Sequence, residues 1–75
     1  MNHKTYITFG QDHTHRANNT TFDKDSVAAI NCKDEGEGRR IAFELFGRKW
    51  SFQYCQKQIT DEFLSHFPRG ILEAN

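Results

Sequence analysis

Asp34-Glu35-Gly36-Glu37-Gly38-Arg39-Arg40-Ile41-Ala42-Phe43-Glu44-Leu45-Phe46-Gly47 carries the clearest helical signal in the chain, and the rest of the fold is read outward from it. Asp34 and Glu37 have capping-box spacing: the Asp34 carboxylate can accept from a free helix amide while Glu37 reaches back. Beyond the cap, Gly38, Ile41, Ala42, Leu45 and Phe46 fall on one stripe at helical period. Gly38 on that stripe lets the helix approach a sheet closely, and Gly47 is placed to end it. Arg39, Arg40 and Glu44 occupy the outer side, with Phe43 near the border. A helix over 35–46 is predicted.

Upstream, Val27-Ala28-Ala29-Ile30-Asn31-Cys32 is continuously small or apolar, as in a strand that is central or covered on both faces. The residues from Gln11 to Asp25 are nearly all polar, and Ala17-Asn18-Asn19-Thr20 tolerates left-handed backbone, which reads as a long loop or hairpin tip. Before it, Tyr6-Ile7-Thr8-Phe9 alternates like a half-buried strand, with Gly10 as a bend. Downstream, Trp50-Ser51-Phe52-Gln53-Tyr54 alternates strictly. Its period puts Trp50, Phe52 and Tyr54 on one core face and Lys49, Ser51 and Gln53 on the other. Thr60-Asp61-Glu62 starts a second helix, with Ile59 positioned to staple onto Leu64 and Phe63 and Phe67 repeating at i, i+4. Pro68 stops it, Arg69-Gly70 turns, and Ile71-Leu72 forms a last edge strand.

The order β-β-α-β-α-β points to an α+β fold. We expect a small two-layer sandwich with an antiparallel-rich sheet of three to four strands packed against one main helix. In that arrangement the helix and the aromatic strand share the core. The pairing order stays open, because the crossover through the helix can place the third strand beside either of the first two. With 75 residues the chain is one domain, 1–75. A chain this short buries only about 60% of its unfolded surface, so its core must be dense. Seven Phe, two Tyr and one Trp supply that density.

Composition excludes several classes. No apolar run approaches the roughly 18 residues of a membrane span, and the segment from Met1 to Tyr6 lacks a signal peptide's apolar stretch, so a cytoplasmic protein is expected. Cys32 and Cys55 are too few for a disulfide scaffold and are expected as thiols. Ten Lys and Arg balance ten Asp and Glu, which argues against a strongly electrostatic grip on nucleic acid and against an acidic DNA mimic. A protein or small-molecule partner is left.

Gln11-Asp12-His13-Thr14-His15-Arg16 is the most suggestive cluster. In extended backbone His13 and His15 point to one side, as two imidazoles on one metal require, with Asp12, Asp23 or Asp25 to add an oxygen. No third ligand or general base is indicated by spacing, so no cofactor and no catalytic metal are expected. Cys32 reads as a buried small hydrophobe, and no histidine lies near Cys55 in sequence to activate it, so an enzyme is not expected. The rings of the 50–54 strand can in principle stack bases, but a domain this small needs them in its core. Arg39-Arg40 and Arg48-Lys49 form small basic clusters of the kind that bind anions or simply face solvent. The Asn18-Asn19-Thr20-Thr21 sequons read as turn residues, and Gly36-Glu37-Gly38 lacks the remaining glycine of a dinucleotide fingerprint.

Three stretches, Ile7-Thr8-Phe9-Gly10-Gln11-Asp12-His13-Thr14-His15, Ala42-Phe43-Glu44-Leu45-Phe46-Gly47 and Phe67-Pro68-Arg69-Gly70, together resemble a family of short proteins encoded by tailed phages and prophages. The resemblance implies counter-defence: an anti-CRISPR-like inhibitor, or a sponge for immune signalling nucleotides. The expected function is a non-enzymatic module that occludes a host protein such as an immune effector in the host cytoplasm. The loop from Gln11 to Asp25, led by Gln11, Asp12, His13, His15 and Arg16, forms its interface with the Arg39/Arg40 side of the helix. One alternative is an oligomeric nucleotide-binding protein whose His13, His15, Arg16 and Arg69 touch phosphates. The other is a metal site at His13/His15.

Overall fold

The computed structural model describes residues 3–11, 14–17 and 19–75. Along the chain it contains β1 (His3–Thr8), β2 (His15–Ala17), β3 (Thr20–Phe22), β4 (Ser26–Cys32), α1 (Glu35–Phe46), β5 (Phe52–Cys55), a 3₁₀ turn (Gln56–Gln58), α2 (Asp61–Leu64) and β6 (Gly70–Glu73). The fold is α+β with one main helix and a mixed four-stranded sheet of order β5-β1-β4-β6. β1 and β4 pair antiparallel at its centre, from His3 opposite Cys32 to Ile7 opposite Ala28. β5 adds antiparallel to β1, and β6 adds parallel to β4 as the edge strand expected at Ile71-Leu72. Within the polar loop, β2 and β3 form a separate two-stranded hairpin. Asn19 at its tip takes the left-handed backbone, at φ 65°, for which asparagine suits a turn.

α1 spans the predicted residues and is capped as expected at Asp34, whose Oδ1 accepts from the Glu37 amide at 2.8 Å. Glu37 reaches one residue further back than a capping box, accepting from the Lys33 amide at 3.0 Å. Gly38, Ala42 and Phe46 are buried, and α1 packs chiefly over β1 and β4. Phe46 anchors a cluster with Phe9 and Phe22, with ring centroids 4.9 and 5.2 Å away. Each such pair adds about 0.5–1.5 kcal/mol beyond the area it buries. Phe22 arrives on β3, so the polar excursion delivers a core residue as well as a loop.

The opposite face is also covered. Tyr6, Val27 and Ala29 lie beneath Tyr54, Ile59, Phe63, Leu64 and Phe67. Alternation in Tyr6-Ile7-Thr8-Phe9 predicts one buried face, yet every residue from Thr5 to Phe9 is buried. The chain around α2 closes the Tyr6 side, and a periodicity signal cannot report a cover that comes from 50 residues away in sequence. The α2 helix itself ends at Leu64, ahead of Pro68, and at its end the Ser65 hydroxyl donates to the Glu62 carbonyl at 2.6 Å. The chain then runs through turns to Gly70, at φ 72°.

The aromatic strand departs most from its sequence pattern. Thr8 is paired with Phe52 in the ladder, and its carbonyl accepts from the Ser51 amide at 2.7 Å. Two residues of the incoming chain therefore meet one of β1, the count of a β-bulge. The extra residue resets the alternation. Trp50 turns to the α1 side and packs against that core, while Tyr54 faces the other side and meets Phe63 with centroids 4.9 Å apart. Phe52, on neither core, is 64% exposed. The expected single aromatic face shared with α1 is thus corrected: Trp50 alone packs on the α1 side, while the Phe52 ring lies 6.3 Å from that of Tyr54. Gly10, at φ 69°, sits against the bulge: a Cβ there would lie 2.4 Å from Ser51 Oγ.

Candidate functional site

α1 covers β1 and β4 and leaves a groove along its flank beside β5. Arg39 and Phe43, one helical turn apart, form one wall. The consecutive residues Trp50, Ser51, Phe52 and Gln53 form the other, and Arg48 closes the end just beyond the Gly47 cap. The space is about 440 Å³, within the range of about 300–1,000 Å³ typical of ligand clefts.

The groove's chemistry follows from two arginines among rings. The Arg39 guanidinium lies 5.4 Å from the centroids of both Phe43 and Trp50, whose rings are 5.2 Å apart at 65°. Cation–π contacts of this kind are worth about 0.5–1 kcal/mol at exposed sites and hold the charge in place. Among the described residues neither Arg39 nor Arg48 has a carboxylate partner, and no acid lines the groove. By contrast Arg40, its neighbour on the helix, is engaged with Glu44 and Glu37. The Trp50 indole nitrogen is buried without a hydrogen-bond partner among the described residues. The result is a cationic, ring-walled hollow with Phe43 and Phe52 exposed at its rims.

The floor beside the groove is fixed by polar contacts. Gln53 Nε2 donates to the Glu35 carbonyl at 2.9 Å, to Glu35 Oε2 at 3.1 Å and to Thr5 Oγ1 at 3.0 Å. The Thr5 hydroxyl donates to Glu35 Oε2 at 2.8 Å, and His3 Nε2 lies 2.5 Å from Glu35 Oε1. The first turn of α1 is thereby tied to β1 and β5. Partners 18 to 48 residues apart gave the sequence no signal for this network.

The residues singled out from sequence are scattered. Asp12 and His13 lie outside the described residues. His15 is half-buried, its ring edge-on to Phe46 at 5.3 Å, and so supports the hairpin. Arg16 is exposed on β2. Arg69 is committed to structure: it donates to the Thr21 carbonyl at 2.7 Å and to Asp23 Oδ2 at 3.3 Å. Gln11 lines a smaller hollow of about 260 Å³ with Lys24, Phe52, Tyr54 and His66 on the other side of the sheet. Among the described residues of the named set only Arg39 enters the groove, while Arg40 serves the helix surface. Arg48, Phe43, Trp50 and Phe52 complete the groove. Their sequence signals were a phenylalanine off the core stripe and the Arg48-Lys49 pair after the helix.

The cysteines are free and on different strands, Cys32 buried and Cys55 half-buried. Burial, followed by the nearby Glu35 charge, pushes the Cys32 thiol up from its ordinary value, leaving it a poor nucleophile. A third hollow, of about 570 Å³, brings His3 beside Cys55, Gln56 and Lys57, a proximity hidden by their separation in sequence. Among the described residues no group of three or more His, Cys, Asp or Glu side chains is arranged to hold a metal ion. Nor is any helix among them long and apolar enough to cross a membrane. No protein-family model matches the chain, and no curated protein or solved structure is significantly similar to it.

Proposed function

We propose that this protein is a non-enzymatic binding module that holds an acidic surface of a partner protein in the groove between α1 and β5. The observation that carries this reading is Arg39, fixed over Phe43 and Trp50, next to a Phe52 ring that is 64% exposed. Arginine and aromatic side chains are enriched at interface hot spots, because they combine large contact area with directional hydrogen bonding. No carboxylate among the described residues lines the groove, which supports an external anion as the partner of the two guanidinium groups. The phage-like texture of the sequence fits a counter-defence role, in which the partner is a host immune effector and binding occludes it.

The test is an interference assay in cells carrying CRISPR-type effectors, comparing the wild-type chain with an Arg39→Glu/Arg48→Glu double variant. Relief of interference by the wild type, lost in the folded variant, is expected. No relief with any effector type would overturn the inhibitor role, and equal relief by the variant would overturn the groove as its site.

A nucleotide is the second reading, favoured by the same juxtaposition of rings and guanidinium groups, which suits a base and its phosphates. It moves the contact from His15, Arg16 and Arg69 to the groove, since Arg69 is bound to Thr21 and Asp23. Saturating nucleotide at about 100 times its dissociation constant raises stability by roughly 2.7 kcal/mol. Absence of any thermal shift with linear and cyclic nucleotides would remove this reading.

A further inference from the structure

We infer that the partner binds as an added strand: an extended acidic segment pairs with the free edge of β5 and lays alternate side chains into the groove. The inference rests on the groove reading above and specifies its geometry. β5 is an end strand of the sheet: the Cys55 amide at its end is taken by Gln58 Oε1 at 2.9 Å, and no further strand among the described residues pairs with the rest of its outer side. Edge strands are usually guarded by charges or proline, and Phe52-Gln53-Tyr54-Cys55 contains neither. The opposite edge, β6, carries Glu73, which is engaged with Lys4 across the sheet.

The groove runs along this open edge, because four successive residues, Trp50 to Gln53, make its wall while α1 makes the other. A helix flank beside an unpaired strand is the architecture in which peptides add to sheets: main-chain bonds supply affinity and alternate side chains supply specificity. Here the side-chain contacts are defined by charge. Arg39 and Arg48 line the groove without carboxylate partners among the described residues, and Phe43 and Phe52 offer exposed apolar surface at its rims. A segment alternating acidic and apolar residues is complementary to that wall. A second copy of β5 is a poorer occupant, since the same two arginines would be brought near their own likenesses.

The experiment selects binders from a random eight-residue peptide library displayed on yeast, counter-selected against the Arg39→Glu/Arg48→Glu variant. The selected peptides are then resynthesised with single N-methyl groups at each backbone amide. Enrichment of acidic, proline-poor peptides is expected. Methylation at every second amide should weaken binding at least tenfold, and methylation at the intervening amides should leave it unchanged. If all methylated peptides bind as the parent does, or all weaken alike, strand addition is overturned while the cationic groove stands. If no charge-dependent binder emerges, both the strand and the groove readings fall. Sedimentation of the free protein as a dimer with its β5 amides protected from exchange would assign the edge to a second copy and overturn the proposal.

Discussion

Gly38 rests directly on Thr5: a Cβ on the glycine would stand 2.4 Å from Thr5 Cγ2 and 3.0 Å from Cys32 Sγ. That contact sets the distance between α1 and the sheet, and hence the depth of the groove along the helix flank. Gly38→Ala raises helix propensity by about 1 kcal/mol but forces the helix outward, and overpacking of this kind costs about 1–3 kcal/mol. Urea unfolding of Gly38→Ala should show a net loss. Adding Thr5→Ser, which removes Cγ2 and keeps the hydroxyl on Glu35, should restore most of it. A double variant no better than the single would remove this account.

Phe52 and Tyr54 sit two residues apart on one strand and should respond in opposite ways. Phe52→Ser removes an exposed ring and should change stability by no more than about 0.5 kcal/mol. Tyr54→Ala empties the site beneath Phe63 and should cost about 2 kcal/mol or more. Partner binding should follow the reverse order, with Phe52→Ser the more damaging. Denaturation midpoints and binding isotherms on the same two variants decide it.

Arg69 is expected to behave as a clamp. It joins the turn before β6 to Thr21 and Asp23 at the end of the hairpin, so Arg69→Ala should lower stability by about 1 kcal/mol. Ligand affinity at the groove should be unchanged. A loss of binding without a loss of stability would return Arg69 to the interface.

Cys32 gives the pH dependence its sign. A thiol raised above its ordinary value of 9.0 holds its proton more tightly in the folded chain than in the unfolded one. Its contribution to stability is therefore complete below that value and declines as pH rises through the folded pKa. Wild-type stability should fall more steeply above about pH 9 than that of Cys32→Ala. At pH 8 a disulfide reagent should label Cys55 and spare Cys32 in the native protein.

What the sequence conveyed well was local. The α1 boundaries followed from Asp34, the apolar stripe and Gly47, and the central position of β4 followed from its unbroken apolar run. Alternation failed where an extra residue entered the ladder: Trp50, Phe52 and Tyr54 have the right period for one face, and hydrogen bonding of Ser51 to Thr8 divides them. The groove was partly visible, in Arg39 and in the surplus Phe43, but its completion by Arg48, Trp50 and Phe52 depends on that bulge. The polar residues from Gln11 to Arg16 looked like chemistry because loop polarity resembles a binding loop. His15 instead meets Phe46, because the hairpin folds over the core.

The parallel pairing of β6 with β4 gives the molecule a late seam. Asn75 exchanges hydrogen bonds with Asn31, 44 residues away, and between them the chain must form α1, add β5 to the sheet and pass through α2. Such a distant contact is slow to form, and its loss uncovers the Val27-Ala28-Ala29-Ile30 stretch of β4, an uncharged, strand-prone template for another chain. Closure of β6 thus covers that template only at the end of folding, and mutations that loosen the seam should appear first as loss of soluble yield.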